Sequence, residues 1–425
     1  MSPELPQLEH HQLDNGLRVF LQEDHALPLV AINLWYDVGS KNEKPGLTGF
    51  AHLFEHMLFQ GSAHVDTNGH FAHIQQVGGV ANGSTWYDRT NYYETLPSNA
   101  LELGLWLESD RMGFLLEALD EEKLATQKSV VLNERRQRVD NAPYGRSGER
   151  LSELLYPPEH PYHWPVIGYE EDIRAATLDQ VHDFFRTYYR PNNAVLTLVG
   201  DLDPREAILQ VERYFGDLAA GEMPPRVLTE PFEVTGRSES MTDQVALAKS
   251  TWATCVAPIG EAQWDVASLL CEVLTGGRSG VLTRRLVQEL EQLQAVGAYV
   301  MPTRLGATLA LQAVGKVGQS GTELEEIMLS AISELRETGI EDEDHERAMN
   351  ALVTTQIEEL ESVEDRADAI SMGATLFDDP LHAFKEAERY LDISIDQLDA
   401  TLANTLDLSR MVQVTVEPSE AGAGS

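Results

Sequence analysis

Hydrophobic and polar positions follow two periods along this chain. Short runs such as Leu17-Arg18-Val19-Phe20-Leu21 and Val30-Ala31-Ile32-Asn33-Leu34-Trp35-Tyr36 alternate or stay apolar, as strands do. Longer stretches carry the helical period. One covers 101–116, and another runs from Glu121 to about Val139 behind Asp120 as its N-cap. Within each half the order is strands, then helices, then a late strand. That order predicts an α+β fold, a mainly antiparallel sheet packed with helices.

The pattern occurs twice. Leu178-Asp179-Gln180-Val181 has its counterpart in Ile395-Asp396-Gln397-Leu398, 217 positions on. Strand-like Ala194-Val195-Leu196-Thr197-Leu198-Val199 maps at the same 217 onto Met411-Val412-Gln413-Val414-Thr415-Val416. Helical Ala51-His52-Leu53-Phe54-Glu55-His56 maps onto Ser268-Leu269-Leu270-Cys271-Glu272-Val273, again at 217. Three ungapped matches at one offset predict two homologous domains, not a solenoid of short repeats. Between them, Gly216-Asp217-Leu218-Ala219-Ala220-Gly221-Glu222-Met223-Pro224-Pro225 lacks apolar periodicity and reads as a linker. The expected division is 1–215, a linker at 216–232, and 233–425. A length of 425 residues suits two such domains.

Composition narrows the function. Hydrophobic residues make up 42%, enough for packed cores. Asp and Glu number 69 against 31 Lys and Arg, a formal net charge of −38. Such a surface repels phosphate backbones and anionic lipid, so nucleic acid is not an expected partner. The acidic residues are spread over both halves and read as an outer, solvated surface. No basic start followed by an apolar run marks a signal peptide, and no apolar run of membrane-spanning length occurs. The expected address is the cytoplasm, or the periplasm if a leader precedes this sequence. Cys255 and Cys271 each sit in an apolar run and read as small buried hydrophobes.

One segment carries chemistry. In His52-Leu53-Phe54-Glu55-His56, helical geometry puts His52, Glu55 and His56 on one arc, with Phe50, Leu53, Phe54, Met57 and Leu58 on the rest. Two imidazoles one turn apart can reach one cation, and the carboxylate between them can reach its water. A hydrolytic zinc site needs that arrangement. The competing reading is a solvated polar helix face. Two histidines leave such a site one protein ligand short. Glu134, Glu94, Glu108, His64, His70 and His73 are candidates. Glu134 is favoured, because Gln127, Val131, Glu134 and Arg138 form one stripe of a helix.

The His-x-x-Glu-His order is the inverse of the commoner zinc motif. With it come Val130-Val131-Leu132-Asn133-Glu134, whose Glu134 lies 78 residues after His56, and Phe59-Gln60-Gly61-Ser62. So do Gly78-Gly79-Val80-Ala81-Asn82-Gly83-Ser84-Thr85 and the stretch 88–97. In these pieces, in its half-repeat and in its length, the chain resembles the pitrilysin-like zinc peptidases. Specifically, it resembles the short two-domain branch that includes the mitochondrial processing peptidase and its bacterial relatives. The resemblance implies one Zn2+ per chain, held by His52, His56 and Glu134, with Glu55 as general base. It implies a metalloendopeptidase that cleaves extended peptides with zinc-activated water. It also implies that the two domains form half of a clam-shell chamber, closed by a homodimer or by a heterodimer with a zinc-less homologous chain. The family also contains non-catalytic assembly subunits, which is the alternative reading.

One departure stands out. Where many relatives carry a second Glu seven residues before the third ligand, this chain has Gln127, which adds no charge behind the metal. In the second copy His52 and His56 fall on Leu269 and Val273, and only Glu272 survives, so no second zinc of this kind is expected there. In the family an edge strand pairs with substrate, which points to Asn82 as a substrate-positioning residue, although Asn82-Gly83 also reads as a turn. Arg285 and Tyr299 are the candidates for the family's substrate-gripping Arg/Tyr pair. His160-Pro161-Tyr162-His163-Trp164-Pro165 reads as a packed loop.

Overall fold

The computed structural model describes residues 5–419, which divide into two compact units. The first comprises residues up to 134, 165–227 and 357–385. The second comprises 135–164, 228–356 and the residues from 386 onward. The sequential copies and the compact units therefore differ in two segments, 135–164 and 357–385.

The first unit is built on a six-stranded sheet. Its strands are β1 (Glu9–Gln12), β2 (Arg18–Glu23), β3 (Leu29–Tyr36), β4 (Val80–Thr85), β5 (Thr90–Pro97) and β6 (Ala194–Gly200), in the order β1-β2-β6-β3-β5-β4. All pairs are antiparallel except β2 with β6. The second unit repeats the plan with β7 (Ser238–Asp243), β8 (Lys249–Val256), β9 (Ala295–Val300), β10 (Ala307–Val314) and β11 (Val412–Pro418), in the order β7-β11-β8-β10-β9. Its one parallel pair, β7 with β11, matches β2 with β6. Strand β10 lies 217 residues after β5, the offset read from the sequence. The expected α+β fold of two homologous halves is what the chain adopts, with one parallel pair in each sheet.

Strand β3 explains why each sheet is covered on both faces. All of Val30–Tyr36 is buried, as a continuous apolar run predicts. Val30, Ile32 and Leu34 face the main core, with helices α1 (Phe50–Met57), α2 (Gly69–Gln76), α3 (Leu101–Phe114) and α4 (Glu121–Arg135) contributing to that side. Ala31 and Trp35 face the opposite way, into a second cluster closed by Ala367 and Ile370 of the helix Val363–Met372. The equivalent helix of the first copy, Ser147–Leu155, belongs to the second unit and packs on β8 and β11 there. Each copy thus lends one helix to the other copy's sheet.

One carboxylate of the lent helix gathers three donors of the first unit's sheet. Asp368 Oδ1 accepts hydrogen bonds from Asn33 Nδ2 at 3.0 Å, Trp35 Nε1 at 2.8 Å and Asn91 Nδ2 at 2.8 Å. Removing it leaves three donors without their acceptor, each worth about 1–3 kcal/mol when buried. Asp368→Ala is therefore expected to destabilise the protein by roughly 2–5 kcal/mol, read as a lowered Tm. An unchanged Tm would show that the helix does not depend on this anchor.

Residues 219–237, which include most of the expected linker at 216–232, contain neither helix nor strand. Cys271 is buried as expected, while Cys255 is only half-buried, and both are free thiols pushed up to about 12 by burial. No helix among the described residues is long and apolar enough to cross a membrane.

Candidate metal centre

Helix α1 starts where Gly49 takes a left-handed φ of 79°. A Cβ at Gly49 would lie 2.7 Å from the Ile167 carbonyl oxygen, so only glycine fits. The first turn is capped from outside by the buried carboxylate of Glu43. It accepts from the Gly49 amide at 2.9 Å and the Ala51 amide at 2.8 Å. Phe50, Ala51, Leu53, Phe54 and Met57 are buried. Phe54 packs its ring 4.5 Å from that of Tyr189. His52, Glu55 and His56 are left half-buried on the remaining face.

Helix α4 supplies the third group. Asp120 Oδ1 accepts from the Lys123 amide at 2.8 Å, the cap expected from the sequence. Leu124 and Val131 anchor the helix in the core. Glu134 lies two turns beyond the buried Gln127, and the helix then passes into a π-helical stretch over Arg136–Asp140. The Glu134 carboxylate meets both imidazoles, Oε1 at 3.8 Å from His52 Nε2 and Oε2 at 3.3 Å from His56 Nε2. The two rings stand edge to face, their centroids 4.9 Å apart.

This donor set fits zinc. Two imidazole nitrogens and one carboxylate oxygen lie within 4.8 Å of one another. Ligands at about 2.1 Å from a tetrahedral ion are roughly 3.4 Å apart, close to the spacing seen here. The polar-face reading of the helix does not account for two ring nitrogens and a carboxylate from a distant helix converging on one point.

Glu55 is held ready beside this cluster. Thr85 Oγ1, on β4, donates to Glu55 Oε2 at 2.7 Å. Burial raises the Glu55 carboxyl above its usual range, while the Thr85 hydroxyl and His56 draw it part of the way back. Gly83 on the same strand leaves room for it, since a Cβ there would sit 3.2 Å from Glu55 Cγ. Thr85 was not legible as a site residue, because a hydrogen bond across 30 residues has no spacing signature. If the hydroxyl orients the base, Thr85→Val should lower kcat about 10–100-fold, the worth of one hydrogen bond to a charged group. KM should stay near its wild-type value, and Thr85→Ser should restore kcat. Equal kcat in Thr85→Val and wild type would remove Thr85 from the site.

The other sequence candidates are placed differently. Asn82 is exposed in the middle of β4, where it pairs with Tyr93, so Asn82-Gly83 is a strand segment and not a turn. Gly83 and Thr85 face Glu55, and by strand alternation Asn82 faces the opposite way. Arg285 and Tyr299 both belong to the second unit. Arg285 is paired with Glu334, Nη1 to Oε1 at 2.6 Å, on the helix side of that unit's sheet. Tyr299 alternates on β9 with Val296, Ala298 and Val300, which pack under those helices, so it points to the other face. The structure does not bring Arg285 and Tyr299 together as a pair. His64 is bound to Asp110. His70, Glu94 and Glu108 lie together in a separate cluster. His160 stacks on Tyr156 with ring centroids 4.5 Å apart, in a packed loop.

In the second copy a guanidinium lies beside the surviving carboxylate. Leu269 and Val273 are fully buried in place of the histidines. The surviving Glu272 has Arg347 Nη1 at 3.8 Å, and Arg347 also faces Asp344.

A repeated α+β domain with an inverted His-x-x-Glu-His helix in one copy alone places this chain in the pitrilysin-like class of peptidase folds. Comparison with known proteins gives the family. Residues 18–156 match the family described as insulinase (peptidase family M16), and residues 175–352 match the peptidase M16 inactive domain. Together the two matches span most of the chain, which belongs to peptidase family M16. The zinc protease PqqE of Helicobacter pylori is 34% identical over 215 residues, 50% of this chain and 48% of that protein. A probable mitochondrial-processing peptidase subunit beta of Arabidopsis thaliana is 24% identical over 245 residues, 56% of this chain and 44% of that one. The matched region thus spans about half the length of these curated relatives. A crystal structure of a protease from Helicobacter pylori superposes with a TM-score of 0.91 at 24% identity, over 97% of this chain and 100% of that one.

Proposed function

We propose that this chain is a zinc-dependent metalloendopeptidase acting on extended peptides or unfolded segments. The observation that carries the reading is the convergence of His52 Nε2, His56 Nε2 and the Glu134 carboxylate beside a Glu55 that Thr85 orients. His52, His56 and Glu134 would hold one zinc ion. Zinc bound there supplies a Lewis acid that polarises the scissile carbonyl and acidifies water. Glu55 takes the proton from the attacking water and returns it to the leaving amide nitrogen. Thr85 fixes Oε2, which leaves Oε1 to exchange that proton.

Strand β4 ends the first unit's sheet, paired on one side only with β5. Its other edge presents backbone amides and carbonyls beside Glu55. An extended peptide added there as a further strand would be held by its backbone, with little dependence on sequence. Asn82 lies on that edge strand as a contact for such a peptide. Gln127, buried two turns before Glu134 on α4, would add no charge near the ligand. Relatives named as subunits support a second chain, identical or zinc-less, as the partner that completes a chamber. Arg285 and Tyr299 remain separate candidate contacts for substrate.

The test is cleavage of a quenched, extended basic peptide by the purified chain. Cleavage that a chelator abolishes is expected. A zinc-loaded chain that cleaves no such peptide would overturn the reading in favour of a non-catalytic assembly subunit.

A further inference from the structure

Three of the histidines and carboxylates that sequence spacing left open as ligands of the motif helix converge elsewhere. His70 on α2, Glu94 on β5 and Glu108 on α3 meet in the interior of the first unit. His70 Nε2 lies 3.5 Å from Glu94 Oε1 and 3.9 Å from Glu108 Oε1. The corresponding separations at His52, His56 and Glu134 are 3.3 and 3.8 Å. The two clusters thus have comparable donor spacing and related donor chemistry. They differ in burial: the side chains of His70, Glu94 and Glu108 are at most 4% exposed.

Charge and hydrogen bonding both leave this interior cluster incomplete. Arg111 compensates Glu108, with Nε on Oε2 at 2.9 Å and Nη2 on Oε1, while its guanidinium lies over the rings of Phe59 and Tyr92. If both carboxyls are ionised, Glu94 is an excess negative charge in a site without water access; a proton held between Glu94 and Glu108 removes that excess. Apart from the neighbouring Glu108 carboxyl, the Glu94 oxygens have no hydrogen-bond partner, and His70 Nε2, aimed at both carboxylates, has none. A buried carboxylate in that state costs several kcal/mol unless a cation meets it. Two candidates remain: a proton shared between Glu94 and Glu108, or a metal ion. A shared proton balances the charge but leaves His70 Nε2 3.5 Å from Glu94 Oε1 and 3.9 Å from Glu108 Oε1, too long for a strong hydrogen bond. A metal ion engages all three groups. Gly104 on α3 keeps the space open, since a Cβ there would lie 3.1 Å from Glu94 Oε2.

We propose that His70, Glu94 and Glu108 form a second, structural site for a divalent transition-metal cation of the zinc class. One nitrogen and two carboxylate oxygens suit such an ion. It would tie α2, β5 and α3 together behind β4, the strand that orients Glu55. Because the site is enclosed, the ion would enter during folding and leave only on unfolding. The inference is independent of the peptidase reading, since it requires no turnover.

The test is zinc content per chain in full-length protein folded in the presence of zinc and then dialysed against chelator. The His52→Ala/His56→Ala double variant is expected to keep about one zinc per chain. Adding Glu94→Gln, or His70→Gln if the first does not fold, is expected to remove it. Cobalt in place of zinc should give visible absorption in the double variant that is lost in the triple variant. A folded double variant without bound metal would overturn the proposal and assign the charge balance to a proton shared by Glu94 and Glu108. So would metal that survives both triple variants.

Discussion

Glu55→Gln is expected to keep the metal at His52, His56 and Glu134 and to lose about 10²–10⁴-fold in kcat, the usual contribution of a positioned general base. The change is isosteric. The amide can still accept from Thr85 Oγ1, and α1 remains anchored by Phe50, Leu53, Phe54 and Met57. What disappears is the ability to take a proton. KM for an extended peptide should change little, because the backbone edge of β4 is untouched. Steady-state kinetics and metal analysis of the same preparation check both halves of the expectation. A variant that retains wild-type kcat with bound zinc would remove Glu55 from the mechanism.

The second large effect falls on Glu134. Glu134→Ala is expected to abolish measurable turnover by emptying the site. His52 and His56 come from one helix and supply two ligands, and Glu134 approaches both ring nitrogens from another helix. Changes to the hydrogen-bond partners of metal ligands already weaken affinity about 10–100-fold. Loss of a charged ligand should exceed that, so zinc at micromolar concentration should leave the variant largely unloaded. The fold should persist, since α4 is held by Leu124, Val131 and Leu132 rather than by Glu134. A Glu134→Ala protein that binds zinc at His52 and His56 as tightly as wild type would place the third ligand elsewhere.

These expectations rest on features of unequal visibility in the sequence. The motif helix was legible because its three polar groups are local and helical geometry alone puts them on one face. Glu134 was only one of six candidates by spacing, and the family resemblance singled it out. The duplicated sheet was legible through a constant offset, and β10 follows β5 at that offset. The exchange of the helices Ser147–Leu155 and Val363–Met372 was not legible. Each helix has the same amphipathic pattern whichever sheet it covers, and the deciding contact, Asp368 with Trp35, spans 333 residues. Thr85 and the interior meeting of His70, Glu94 and Glu108 escaped for the same reason. Both depend on tertiary approach between elements whose own sequences carry no mark of it. Arg285 and Tyr299 show the converse, a loose sequence resemblance whose two members lie on opposite sides of the second unit's sheet.

The central claim is that His52, His56 and Glu134 hold the ion that makes Glu55 a peptidase base. It is tested most directly by titrating zinc into chelator-treated protein while following cleavage of a quenched peptide. The account predicts no cleavage at the start and a rise that saturates at one added equivalent, with no rise in Glu55→Gln. Cleavage that persists after chelation, or a rise of equal size in Glu55→Gln, would contradict it.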